Sequence, residues 1–395
     1  MRKYLIFSIL FLNIFLFSQE LGKIQEKVEV RLILVPTVVT DKKGNFIERL
    51  KIEDFEVYED GKRQYISLFY LEKIKDSKLI FEDNTDEKKS ISREQYELRQ
   101  SFPPRTIILI FDQITTSPFY VTRLEEPLKK FLKNFITHDD NLLIYIGGKS
   151  YLFKKGRIFI SEKEPDSVSK IIKKVLKESF YPIDFIYFSS SPEKLPMAEM
   201  ERDVVFPLLN MEFKMLSLRG LRRLKLIAEE LKRIEGEKRV IFLSEGYGNF
   251  FSGRLGEDAY STHELNDPAF LAKYFNDSNT AIYSLDIGGL KDYNFMYRDL
   301  QMTASQREKH QNLFNPFFRQ SFLRDLSSRT GGEAITNTND LGEALQIIGD
   351  MISKAYILGY SSTNKIMDGK YRKIKVKVRM KKVIVKHREG YFAKD

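Results

Sequence analysis

Arg105-Thr106-Ile107-Ile108-Leu109-Ile110-Phe111-Asp112 decides the fold. A run with no polar face requires cover on both sides when it forms a strand, the condition met in a parallel sheet packed between helices. Leu142 to Gly147 and Arg239 to Leu243 repeat the pattern, and Ala281 to Leu285 and Glu333 to Thr336 supply a fourth and a fifth strand. Helical spacing fills the intervals. Val121 to Ile136 places Leu124, Leu128, Leu132 and Phe135 on one face. Ser167 to Leu176 reads as a second helix. Leu218 to Ile234 sets Leu221, Leu224, Ile227, Leu231 and Ile234 against Arg219, Arg222, Arg223 and Arg233. Pro268 to Phe275 and Phe317 to Arg329, the latter closed by Gly331-Gly332, complete the set. Tyr151 to Ile160 suits an edge strand. Such alternation predicts an α/β fold, a doubly wound and mostly parallel sheet.

The flanks read differently. Val28 to Val39, Phe55 to Tyr58 and Gln64 to Tyr70 are short β segments, with turn chemistry at Asp41 to Gly44 and at Asp60-Gly61. At the other end, Tyr356 to Tyr360 is followed by Asp368-Gly369 and by Tyr371 to Arg379, where Ile374, Val376 and Val378 alternate with Lys375, Lys377 and Arg379; Val383 to Lys386 adds a last strand. Neither flank has enough strands to bury a core alone, which predicts that the two pack as one β-sandwich-like unit interrupted by the α/β domain. The expected organisation is a signal segment at 1–18, an N-terminal β segment at 24–72, a charged linker at 73–102, the α/β domain at 103–353 and a C-terminal β segment at 354–395. Lys177 to Asn210, aromatic and broken by Pro182, Pro192, Pro196 and Pro207, has no clear assignment.

Composition bounds the class. The 395 residues are 42% hydrophobic, with 31 Phe and 20 Tyr, enough apolar surface for a packed core. The net charge of +10 is a mild excess at this length and does not mark a nucleic-acid specialist. The absence of cysteine excludes disulfides, thiolate metal sites, thiol nucleophiles and lipid attachment at a cysteine. Arg2 and Lys3 precede an apolar run from Tyr4 to Phe17 that turns polar at Ser18, the outline of a secretory signal cleaved near Ser18. The run is shorter than the roughly 20 residues that cross a bilayer. The expected location is therefore periplasmic or secreted, without a membrane span in the mature chain, and an uncleaved N-terminal anchor is the alternative.

Ligands of open α/β sheets sit at the carboxyl ends of the strands, here marked by Asp112, Glu245 and Asp286. A hard cation takes carboxylate and hydroxyl oxygens, and the loop Asp112 to Ser117 offers both. Other constellations fail. Gly148-Lys149-Ser150 lacks the glycine of a phosphate loop, because Leu143 stands at that position. Ile114 occupies the place of the second acid of a phosphoryl-transfer pair. His138, His263, His310 and His387 have no ligand spacing, and no Gly-x-Ser-x-Gly elbow is present. The basic stretch Lys370 to Arg388 reads as the solvated face of an edge strand, with a patch for an anionic surface as the alternative.

Several motifs together resemble the VWFA-related (von Willebrand factor type A-related) bacterial secreted protein family. They are Val35 to Asp41 with Gly44, Asp54 to Lys62, Arg239 to Gly246, Arg329 to Ala334, Tyr356 to Tyr360 and Gly369 to Ile374. The resemblance implies a von Willebrand A, Rossmann-like domain beside the β segments, and a metal-ion-dependent adhesion site for Mg²⁺ or Mn²⁺. Asp112 then matches the site's aspartate, Thr116 its second serine, Ser217 its threonine and Glu245 its later aspartate, while Ile114 stands where the first serine belongs. The site is degenerate. The function implied is an exported, non-enzymatic adhesion-type module that offers Asp112 and Glu245 on a shared rim to a protein ligand. The alternatives are a metal-free assembly module using its β domain or the aromatic segment Phe180 to Tyr187, and a hydrolase using the strand-end acids.

Overall fold

The computed structural model describes residues 32–75, 78–82, 104–116, 120, 122–137, 139–146, 149–153, 199–248, 267–290 and 316–394. The signal segment, the Ser167 to Leu176 helix and the Phe180 to Tyr187 segment lie outside the described residues. From Ile33 onward the chain forms one compact unit.

The elements in chain order are strands β1 (Leu32–Thr40), β2 (Phe55–Glu59), β3 (Lys62–Gln64), β4 (Ile66–Lys75), β5 (Lys78–Glu82) and β6 (Thr106–Phe111), then helix α1 (Glu125–Phe135). Next come β7 (Asn141–Ile146), β8 (Lys149–Phe153), α2 (Glu199–Leu231), β9 (Lys238–Ser244), α3 (Pro268–Asp277) and β10 (Thr280–Asp286). The chain closes with α4 (Pro316–Arg329), β11 (Ala334–Ile335), α5 (Leu341–Ile352), β12 (Lys354–Ser361), β13 (Tyr371–Val378), β14 (Ile384–Lys386) and β15 (Gly390–Phe392).

The central sheet runs β11-β10-β9-β6-β7-β8, parallel except for β8. Successive side chains of a strand point to opposite faces. Ile107, Leu109 and Phe111 accordingly pack with α1 and α5, while Ile108 and Ile110 pack with α2, α3 and α4. After β7 the chain crosses back over β6 to β9, so the strand order reverses between β6 and β9. That reversal opens a crevice at their carboxyl ends.

Two antiparallel sheets, β14-β1-β12-β4-β5 and β15-β13-β2-β3, flank this layer. They share a core that includes Val35, Phe55, Val57, Leu71, Tyr356, Ile374 and Val376. Strands from the two chain ends pair directly, β12 with β4 and β13 with β2. The β2–β3 hairpin turns at Asp60 (φ 46°) and Gly61 (φ 81°), the left-handed pair that a two-residue turn requires.

Three expectations change and two elements are added. Within the stretch read as linker at 73–102, residues 73–75 belong to β4 and β5 pairs with it antiparallel, while 83–102 lie outside the described residues. Residues 199–210, read as irregular, belong to α2, and Pro207 removes one backbone donor without ending the helix. The edge strand read at Tyr151 to Ile160 is β8 (Lys149–Phe153), which begins two residues earlier, and residues 154–160 lie outside the described residues. Helix α5 and strand β15 are additions. The α5 start is marked by Asp340, whose side chain accepts from the Glu343 amide at 2.8 Å, and its buried Leu341, Leu345, Ile348 and Ile352 carry the helical spacing.

Buried ion pairs fasten the flanking sheet to the amino ends of the parallel strands. Arg105 forms a two-pronged pair with Asp140 at 2.8 and 2.6 Å and donates to the Ile352 carbonyl at 3.0 Å. Arg239 donates to the same carbonyl and, at 2.8 Å, to Glu72 on β4. Glu72 is buried, and removing one partner of such a pair leaves an uncompensated charge, which costs about 3–5 kcal/mol. Glu72→Gln should therefore lower the unfolding free energy in urea by about 3 kcal/mol. Lys129→Ala, which removes partly exposed pairs with Glu125 and Glu126, should change it by no more than about 0.5 kcal/mol.

His387 joins the flanking strands only as a neutral ring: its Nε2 accepts from the Val376 amide at 3.1 Å, and its Nδ1 donates to the Arg388 carbonyl at 2.8 Å. Burial holds its pKa below the ordinary 6.5. The unfolded chain then takes up the proton first, so this contribution is complete above pH 6.5 and is lost as pH falls through the folded value. His387→Gln should flatten that part of the stability profile, measured by urea unfolding across the range.

Candidate functional site

The crevice between β6 and β9 brings together Asp112, Thr116 and Glu245. Asp112 follows β6 directly, and its amide donates to the Leu243 carbonyl at 3.0 Å, which fixes the strand end. Its carboxylate is engaged inward. Oδ1 accepts from the amides of Ile114 (2.9 Å) and Thr115 (3.1 Å), while Oδ2 accepts from the Ser244 hydroxyl (2.6 Å) and from the Thr115 hydroxyl. The Ser244 hydroxyl in turn accepts from the Gly246 amide at 2.8 Å. Thr116 receives the Glu245 amide at 3.3 Å. A carboxylate offers about four lone-pair positions, and four donors from these two loops address Asp112.

Gly246 lies at φ 81°, and a Cβ there would stand 2.2 Å from the Arg319 carbonyl oxygen. This close approach lets α4 cover the loop. Arg319, in the first turns of α4, donates to the Gly246 carbonyl at 3.0 Å and to the Thr115 carbonyl at 2.7 Å, with Glu245 Oε2 at 3.5 Å. Its neighbour Gln320 donates to Asp286 Oδ2 at 2.9 Å, and the Gly288 amide donates to Oδ1 at 3.0 Å. Two successive residues of one helix thus tie the ends of β6, β9 and β10 together. Tyr247 is buried beside Asp112; burial first, and the Asp112 charge second, push its phenol well above the ordinary range. Arg223 on α2 borders the same crevice, and burial lowers its pKa against the opposing charges nearby.

Two sequence expectations are corrected. Asp112 and Glu245 share a rim, yet each is only 5% exposed, so neither presents an open carboxylate to a partner. The strand ends fold their own loops over these groups because a buried carboxylate requires donors. Ser217 lies within α2, fully buried, and its hydroxyl has no hydrogen-bond partner among the described residues. Arg319 and Tyr247 are not among the sequence expectations, and Ser244 enters them only within the Arg239 to Gly246 motif. Their signals were faint: an arginine on a core-facing helix, and the serine and aromatic that bracket Glu245-Gly246.

As ligands for a divalent cation these residues fit poorly. Asp112 has its acceptor positions filled by protein donors, and the Arg319 guanidinium already supplies positive charge beside Glu245. Among the described residues no three carboxylate or imidazole groups converge. Ser244 donates directly to the Asp112 carboxylate, with no imidazole between them among the described residues.

No protein-family model matches the chain, and no curated protein sequence does so either. Among solved structures it is similar to the crystal structure of the human COPII-coat protein Sec24c, at 9% identity and a TM-score of 0.31 over 75% of this chain. The chain covers 45% of that protein's length, and a likeness at this level carries no argument. Among the described residues no helix is long and apolar enough to cross a membrane.

Arg319→Met should keep the stem of the side chain while leaving two buried carbonyls and Glu245 without their cation. Urea unfolding should show a loss of about 3–5 kcal/mol, whereas a loss under about 1 kcal/mol would mean the guanidinium is not part of the rim's support.

Proposed function

We propose that this protein is a non-enzymatic interaction module of the von Willebrand A kind, whose strand-end rim is held by an internal guanidinium instead of a bound cation. The observation that carries the reading is the Asp112 carboxylate, which accepts from Ile114, Thr115 and Ser244. The resemblance in Asp112, Thr116 and the Ser244-Glu245-Gly246 turn supports the family assignment, and the reversal of strand order between β6 and β9 puts these residues where open α/β sheets take ligands. A Mg²⁺ or Mn²⁺ ion at Asp112 would have to displace the Ser244 and Thr115 hydroxyls. The module docks a protein ligand through the shape of its rim loops, and the Tyr4 to Phe17 segment directs it out of the cytoplasm.

Ligands that bind only the native state raise the melting temperature. Thermal melting with saturating Mg²⁺ or Mn²⁺ should leave the midpoint unchanged. A rise that disappears in Asp112→Ala would restore the metal-dependent reading in place of this one.

A further inference from the structure

The outward face of the sheet β15-β13-β2-β3 carries a charge array that the rim does not use. On β13, Ile374 and Val376 enter the core while Lys373, Lys375 and Lys377 point to solvent. Alternate residues of a strand stand about 7 Å apart on one face, so the three ammonium groups form an even row. The register sets Lys375 opposite Tyr58 and Lys377 opposite Glu56, and Tyr58 opposite Arg63 on β3. Arg379 extends the row. Among the strand residues of this face Glu56 is the one carboxylate, and it is divided between Arg63 at 3.5 Å and Arg379 at 3.2 Å. Lys373, Lys375 and Lys377 have no ion pair among the described residues.

The turn that follows adds apolar groups. Met380 (46% exposed) stands between Arg379 and Lys381-Lys382, and Ile384 (44% exposed) opens β14. Cations interleaved with exposed apolar side chains match the boundary between lipid headgroups and acyl chains. Nucleic acid fits less well. Single strands stack on open aromatic faces. Tyr58 is half-buried, its hydroxyl donates to Glu56 at 2.9 Å and its ring lies under the Lys377 ammonium at 4.8 Å, which leaves Tyr65 (84% exposed) beside Arg63 as a single open ring and no succession of rings for a strand to stack on.

We propose that Lys373, Lys375 and Lys377, with Arg63, Arg379 and the Met380 tip, dock this sheet face on a membrane surface rich in anionic lipid headgroups. Lysines near such a surface strengthen binding by about fivefold each, which compounds to on the order of 100-fold for three. The full chain is tested by cosedimentation with vesicles of phosphatidylglycerol and phosphatidylcholine, and with phosphatidylcholine alone. The K373Q/K375Q/K377Q variant, whose changes are all exposed, serves as the comparison, and matching melting curves show that its fold is intact. The expected result is salt-sensitive binding to the phosphatidylglycerol vesicles that falls on the order of 100-fold in the variant. Binding to phosphatidylcholine alone should be equal in both. Equal binding of variant and parent to phosphatidylglycerol would overturn the proposal. So would loss, in the variant, of binding to a single-stranded DNA oligonucleotide while vesicle binding is retained.

Discussion

A carboxylate placed at the carboxyl end of a buried parallel strand must be satisfied from within the protein, and Asp112 sets that requirement here. The loop after β6 turns back so that the Ile114 and Thr115 amides reach Oδ1, and the loop after β9 brings Ser244 to Oδ2. The Gly246 turn admits the backbone of α4, which allows Arg319 to reach both loops. Loss of any one of these donors leaves a buried acceptor short, and the cost of an unsatisfied buried group exceeds the net gain of an ordinary hydrogen bond. The rim is therefore a closed network in which charge is compensated internally.

The opposite edge of the sheet is secured by similar means. Arg105 and Arg239 converge on the Ile352 carbonyl, and Glu72 reaches them from the flanking sheet. Arginine suits both positions, since its planar fork satisfies a carboxylate and a carbonyl together. With its amino ends bound to β4 and its carboxyl ends bound by α4, the parallel layer is held at both margins while both faces pack against helices. Under the proposed function, a rim so constrained would recognise its ligand by preformed loop shape, with little reorganisation on binding.

The unbroken apolar runs at Ile107 to Phe111, Leu142 to Ile146 and Val240 to Leu243 made the parallel sheet legible, because only burial on both faces accommodates them. The Asp60-Gly61 turn and the alternation of Ile374 and Val376 with lysines were equally readable, each resting on a local rule. Helix α5 escaped notice although its Asp340 cap and apolar spacing were present. Pro207 misled in the other direction, since tertiary packing overrides a local breaker. At the site, the meeting of Asp112 with Glu245 and Thr116 followed from strand order, but the direction of the carboxylates did not. For Asp112 that depended on the Ile114 and Thr115 amides and on Ser244, whose loops are tied by Arg319; this arginine lies 207 positions after Asp112 in the numbering and reaches the Thr115 and Gly246 carbonyls only through the packing of α4.

The account depends on Asp112 facing its own loops and on Arg319 supplying the rim's positive charge. The most direct measurement is anomalous diffraction from crystals of the full chain grown in Mn²⁺. The predicted result is no anomalous peak at Asp112, with the Arg319 guanidinium in contact with the Thr115 and Gly246 carbonyls. A Mn²⁺ peak within bonding distance of Asp112, with Ser244 turned from donor to metal ligand, would contradict it.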